Sequence, residues 1–199
     1  MEEKNLTEQE SMLIIQQMIN TAKHEQKDDG IGWIIWGWLL FLVSILTYIN
    51  LHVHWFSTYY FWNAFGIISL LLLLLTIIRF FYFRGRVRAR TYTGEIFNKL
   101  NVGFFISLAF IIIGINKGID PVHGFPMLIG LYGFWILIYG TALDFKPSVI
   151  AAYVTWAFGF ASFFVNTFAS VMLLHGAAAL FGYIIPGHLA YSQFRKLNR

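Results

Sequence analysis

Long apolar runs alternate with short polar connections along this chain. After a polar start, the runs extend from about Ile31 to Ile49, Tyr59 to Phe83, Glu95 to Ile115, Phe125 to Leu143, Ser148 to Val165 and Phe168 to about Tyr191. Each is near the ~20 residues that a helix needs to cross a ~30 Å hydrocarbon core. In lipid a helix also satisfies its own backbone, which a lone strand cannot do. The pattern predicts an all-α polytopic membrane protein, with six transmembrane helices over residues 31–199. The connections after the third, fourth and fifth runs are short, so those helices should be antiparallel neighbours. Pro126 and Pro147 fall at the expected first turns of the fourth and fifth helices, where a missing N–H costs nothing, and Pro186 should kink or end the sixth.

Residues 1–30 form the one sizeable polar segment. Thr7 followed by Glu10 has the spacing of a capping box, and Met12, Ile15, Ile19 and Ala22 then recur at helical spacing, with Leu13, Ile14 and Met18 widening the stripe. This predicts a cytoplasmic amphipathic helix, interrupted at Asp28, Asp29 and Gly30. Its apolar face would rest on the headgroup layer or the chain's own cytoplasmic face, or meet a protein partner or a second copy of the chain.

Charge sets the orientation. Of 14 Lys and Arg residues, Lys4, Lys23, Lys27, Arg79, Arg84, Arg86, Arg88, Arg90, Lys99, Lys146, Arg195, Lys196 and Arg199 fall on one side of the spans, and Lys117 alone on the other. By the positive-inside rule both termini are cytoplasmic. Composition agrees with the class: 58% hydrophobic and 12% charged residues leave more apolar surface than a soluble chain of 199 residues could cover. The net charge of +4 comes from residues beside the spans, so the Arg79 to Arg90 segment should attract anionic lipid headgroups, and no nucleic-acid partner is expected. Cysteine is absent, which excludes disulfides and thiolate chemistry. The polar first thirty residues do not form a cleavable signal peptide, so the first span should direct insertion.

The LTEQES start with its following helix, the GWIIWGWL first span, the RTYTGEI entry to the third and the late GYIIPGHL give the chain a resemblance to small six-span inner-membrane proteins of Bacteroidota. The resemblance covers most of the length, implies an inner-membrane location and supplies no activity.

Few residues could carry chemistry. Gly176, Ala178, Ala179 and Gly182 in the sixth span, with Gly130, Gly133, Gly140, Gly159 and Ser162, are small-residue surfaces that let helices approach closely. Asp144, Glu95 and Lys99 sit at span ends, where capping and snorkelling account for them. The histidines stand apart. His52 and His54 form an HxH in the first outer connection, His123 lies in the next near Asp120, and His175 lies about 10 Å into the sixth span, so all four share the outer side. Together they are a candidate transition-metal site, set against the plainer reading of interfacial and bundle-interior histidines. No catalytic residue or cofactor is assigned, because no nucleophile, metalloprotease, P-loop or dinucleotide motif occurs. The expected function is that of a non-enzymatic regulatory, sensory or structural membrane partner. A small oligomeric transporter or channel is the alternative, and a metal-dependent intramembrane enzyme comes third.

Overall fold

The computed structural model describes residues 12–13, 30–82 and 92–197, and every regular element among them is helical. In chain order these are α1 (Ile31–Val53), α2 (Tyr60–Tyr82), α3 (Tyr92–Asn116), α4 (Pro121–Ala142), α5 (Lys146–Ser162), α6 (Phe168–Ala179), a π-helical turn (Leu180–Ile184) and α7 (Ile185–Leu197). Among the described residues four stretches are long and apolar enough to cross a membrane: Ile31–Val53, Ile96–Asn116, Pro121–Ala142 and Phe168–Lys196. A shorter apolar stretch, Tyr60–Leu72, lies in α2, and α5 has 17 residues. The expected N-terminal helix lies outside the described residues except for Met12 and Leu13, which are helical and exposed. The basic connection from residue 83 to 91 lies outside them as well.

Local chemistry moves some helix boundaries. α4 begins at Pro121, earlier than the expected Phe125, because the Asp120 side chain accepts from the Val122 N–H and Pro121 brings a preset φ to the first turn. Pro126 therefore sits inside the helix. At Pro186 the last apolar stretch, Phe168–Lys196, neither stops nor simply kinks. It passes through the π turn, where the Ile185 N–H reaches back to the Leu180 carbonyl, and the wider turn takes up the proline's missing donor and ring.

The core is built by α1, α4, α5 and the α6–π–α7 segment. α1 buries one stripe, Trp33, Gly37, Leu40, Ser44, Thr47 and Asn50, whose spacing of three and four residues is one face of a helix. That face lies along α6 and the π turn, while α4 and α5 form the most extensive pair. Glycines set the closeness of these contacts. A Cβ at Gly37 would stand 2.8 Å from Tyr183 Cβ and 3.0 Å from the Ile184 backbone nitrogen, and one at Gly187 would stand 3.1 Å from the Ile34 nitrogen. Gly176 faces Ser44 and Ile45, and Gly182 faces Thr155 and Ile136, so both lie against other helices of the same chain as expected. By contrast, among the described helices α3 packs on α4 alone, chiefly through Phe97 and Phe104 against Trp135 and Tyr139, and none of its apolar window is buried.

These contacts predict unequal costs for the same substitution. Gly37→Ala should lower stability by about 1 to 3 kcal/mol, because backbone atoms block the new methyl. Gly176→Ala meets ordinary contacts at 3.4 Å or more and should hold or gain up to about 1 kcal/mol. Thermal unfolding of the purified protein in detergent checks both, and equal melting shifts would contradict the close approach at Gly37.

Candidate functional site

Three polar residues line the buried stripe of α1 in its second half: Ser44, Thr47 and Asn50. Buried between helices, each needs a hydrogen-bond partner. Ser44 and Thr47 donate back to the carbonyls of Leu40 and Val43, at 2.6 and 2.7 Å. Asn50 closes the connection to α2: its amide donates to the Phe56 and Ser57 carbonyls, both at 3.1 Å, and its carbonyl accepts from the Phe56 N–H at 2.8 Å. His54, in the left-handed region at φ 58, gives its N–H to the Asn50 carbonyl in the same turn.

Ser44 also reaches another helix. Its Oγ lies 2.8 Å from Nδ1 of His175 on α6, and His175 is 1% exposed. The geometry decides the tautomer. Two oxygens only 2.6 Å apart, Ser44 Oγ and the Leu40 carbonyl, need the serine proton between them. Oγ then has only lone pairs for the imidazole, so His175 carries its proton on Nδ1 and donates it. Nε2 keeps a bare lone pair, and that buried atom has no hydrogen-bond partner.

Aromatic rings enclose this imidazole edge-on. Trp62 of α2 lies 5.2 Å away at 88°, and Phe125 and Tyr132, on one face of α4, lie at 5.9 Å and 5.7 Å. Trp62 is itself held by its indole N–H, which points to the Met172 sulfur at 3.3 Å. From Tyr132 the ring contacts continue through Tyr183 to Trp33 and Tyr139, an aromatic column along the core.

The four histidines read as a candidate metal site are not brought together. Among the described residues no group of three or more His, Cys, Asp or Glu is placed to hold a metal ion. His175 is level with Ser44, and His52 lies eight residues further along α1, about 12 Å away along the helix axis. His52 is exposed with Nδ1 against the Tyr48 carbonyl, and exposed His54 has Nδ1 against the His52 carbonyl. His123 is exposed and precedes the inward-facing Phe125 by two positions, which turns it away from the core. The physical reason is depth: burial of His175 in the bundle separates it from residues at the helix ends. Ser44, Asn50 and Trp62 were not singled out from sequence, although polar residues at 44, 47 and 50 in an apolar run were a legible signal.

Comparison of the chain with family models, curated proteins and solved structures gives no match.

The Ser44–His175 bond can be measured as a coupling. Ser44→Ala leaves the buried Nδ1 proton without its partner and should cost about 1 to 3 kcal/mol. In a His175→Phe background the same change should cost far less. A double-mutant cycle on unfolding in detergent checks this, and effects that add within about 0.5 kcal/mol would show that the pair is not coupled.

Proposed function

We propose that this chain is a six-span protein of the bacterial inner membrane, with both termini cytoplasmic, that works as a non-enzymatic regulatory or sensory partner of another membrane protein. It is in this reading one of the small six-span inner-membrane proteins of Bacteroidota that it resembles. The observation that carries the proposal is α3. Its large apolar residues Phe105, Ile106, Phe110 and Ile113 are exposed, with Phe110 77% so, and α4 is the one described helix on which it packs. A helix held at the bundle's edge in this way offers a continuous surface within the bilayer. Without a hydrophobic drive between helices in lipid, shape and close packing would choose its partner. Gly103 and Ser107 lie one turn apart on α3, and nothing within 4 Å would meet a Cβ at Gly103.

The basic connection of Arg84, Arg86, Arg88 and Arg90, with Arg79 at the end of α2, rests in this reading on anionic headgroups of the cytoplasmic leaflet. The transporter alternative draws on the inward line of Ser44, Thr47 and Asn50. Their hydroxyl and amide protons are already committed to backbone carbonyls, which favours a structural use. The enzyme reading is not carried forward, because its ligands do not converge.

Two experiments test the proposal. The chain has no cysteine, so Thr58→Cys and Ser192→Cys can be probed singly with a membrane-impermeant thiol reagent. Thr58→Cys should label in intact cells and Ser192→Cys only after permeabilisation; the reverse would invert the topology. For the partner, a photo-crosslinking residue at Phe110 should give one discrete protein adduct in native membranes, whereas the same residue at exposed Phe160 on α5 should give lipid adducts. Lipid adducts alone at both positions would remove the support that α3 gives.

A further inference from the structure

The unpartnered Nε2 of His175 is a feature that packing does not explain. A buried lone pair without a donor costs about 1 to 3 kcal/mol, and a phenylalanine would fill the same space without that cost. The groups around it define what could supply the donor. The rings of Trp62, Phe125 and Tyr132 enclose the imidazole, with Met172 beside Trp62. Among the described residues, no carboxylate, Lys or Arg has a hydrogen bond or ion pair with His175 or with these rings. A complementary ligand is therefore neutral, apolar and ring-shaped, and carries an O–H that can donate. His175 lies about 10 Å from the start of α6, at hydrocarbon depth, so such a ligand would arrive sideways from the bilayer.

We propose that His175 Nε2, oriented by Ser44, is the hydrogen-bond acceptor of a binding site for the head group of a lipid-soluble quinol. The wall that must move is α2. Trp62 covers the imidazole; among the described helices α2 comes close along its backbone to α1 alone, and it meets α4 and α6 through side chains such as Trp62 and, just before the helix, Tyr59. Swinging Trp62 outward breaks its contacts with Met172 and Phe125 and vacates the space of an indole, which the hydroxyl-bearing edge of a quinol ring can enter. The tail then runs along the exposed face of α2, past Ile67, Leu70 and Leu71, into lipid. Tautomer sets the specificity. Because the Nδ1 proton is given to Ser44, Nε2 can accept but cannot donate, so a quinol is held and the corresponding quinone, which has no hydroxyl, is not held by that bond. The proposal is one of binding, and no electron transfer is part of it.

The test titrates the purified full-length protein in detergent with decylubiquinol and, separately, decylubiquinone, following quenching of tryptophan fluorescence. Saturable quinol binding should be about three- to tenfold tighter than quinone binding, the ratio expected from one hydrogen bond. His175→Phe should erase that difference and retain the fold, because it removes a buried polar atom and keeps a ring. Ser44→Ala should reduce it, and His123→Phe, at an exposed position, should leave it unchanged. As a second readout on the wild-type protein, histidine labelled with nitrogen-15 should show a shift of one buried Nε2 resonance on addition of quinol. No saturable binding, equal affinity for the two redox forms, an undiminished preference in His175→Phe or an unmoved Nε2 resonance would each overturn the proposal.

Discussion

The close approach of α1 to the segment from Gly176 to Gly187 is the constraint on which the other features depend. At Gly37 and Gly187 the facing atoms include backbone nitrogens, so the separation of the two helices is fixed by main chain and not by side chains that could adjust. In lipid no solvent-driven collapse holds helices together, and close packing at small residues replaces it. Once Gly37 lies on Tyr183 and Ile184, helical geometry carries the register along α1. Seven residues later Ser44 is on the same face, beside Gly176 and His175. The hydrogen bond between Ser44 and His175 is in this sense a product of glycine packing two turns away.

Satisfaction of polar groups is the second requirement, and the chain meets it locally. Ser44, Thr47, Thr155 and Ser162 all return their hydroxyl protons to a carbonyl four residues earlier, which lets helix interfaces carry hydroxyls without interhelical partners. Asn50 does the same work for the connection after α1, with three bonds to residues 56 and 57. Against that background two buried side-chain atoms stand unpaired among the described residues, Ser69 Oγ and His175 Nε2. Ser69 lies on α2, where Leu70, Leu71 and Leu72 after it are exposed. His175 is at the centre of the aromatic core, where an unpaired atom is harder to relieve.

Much of the architecture could be read from the residues because it follows from the solvent. Apolar length, proline position and small-residue spacing are one-dimensional signals, and they placed the described helices to within a few residues of their ends. The larger shifts have short-range causes that could have been weighed more heavily: Asp120 as a cap before Pro121, and the π turn that relieves Pro186. The histidines were a different problem. Sharing a side of the membrane is a coarse coordinate, and it says nothing of depth or facing. The partner of His175 is 131 positions away in sequence, and only the pairing of α1 with α6 brings them together. The stripe Ser44, Thr47, Asn50 was visible, but knowing which histidine it would meet requires the helix order across the bundle.

The structure therefore separates two kinds of surface that composition alone would merge. α3 is apolar and largely outward, held on one side by Phe97 and Phe104 against Trp135 and Tyr139, and its exposed residues such as Phe110 and Ile113 could change without disturbing the core. The His175 environment is apolar and inward, and each ring that encloses it also packs against another part of the core, as Tyr132 does against Tyr183 and Phe125 against Phe168. Under the two proposals, a change at the first surface should alter what the protein meets in the bilayer, whereas a change at the second should alter stability and ligand preference together. Under the proposed function, activity lost through α3 with an unchanged melting point is a partner effect. Loss through Ser44 or His175 has to be resolved by ligand preference, because stability moves with it.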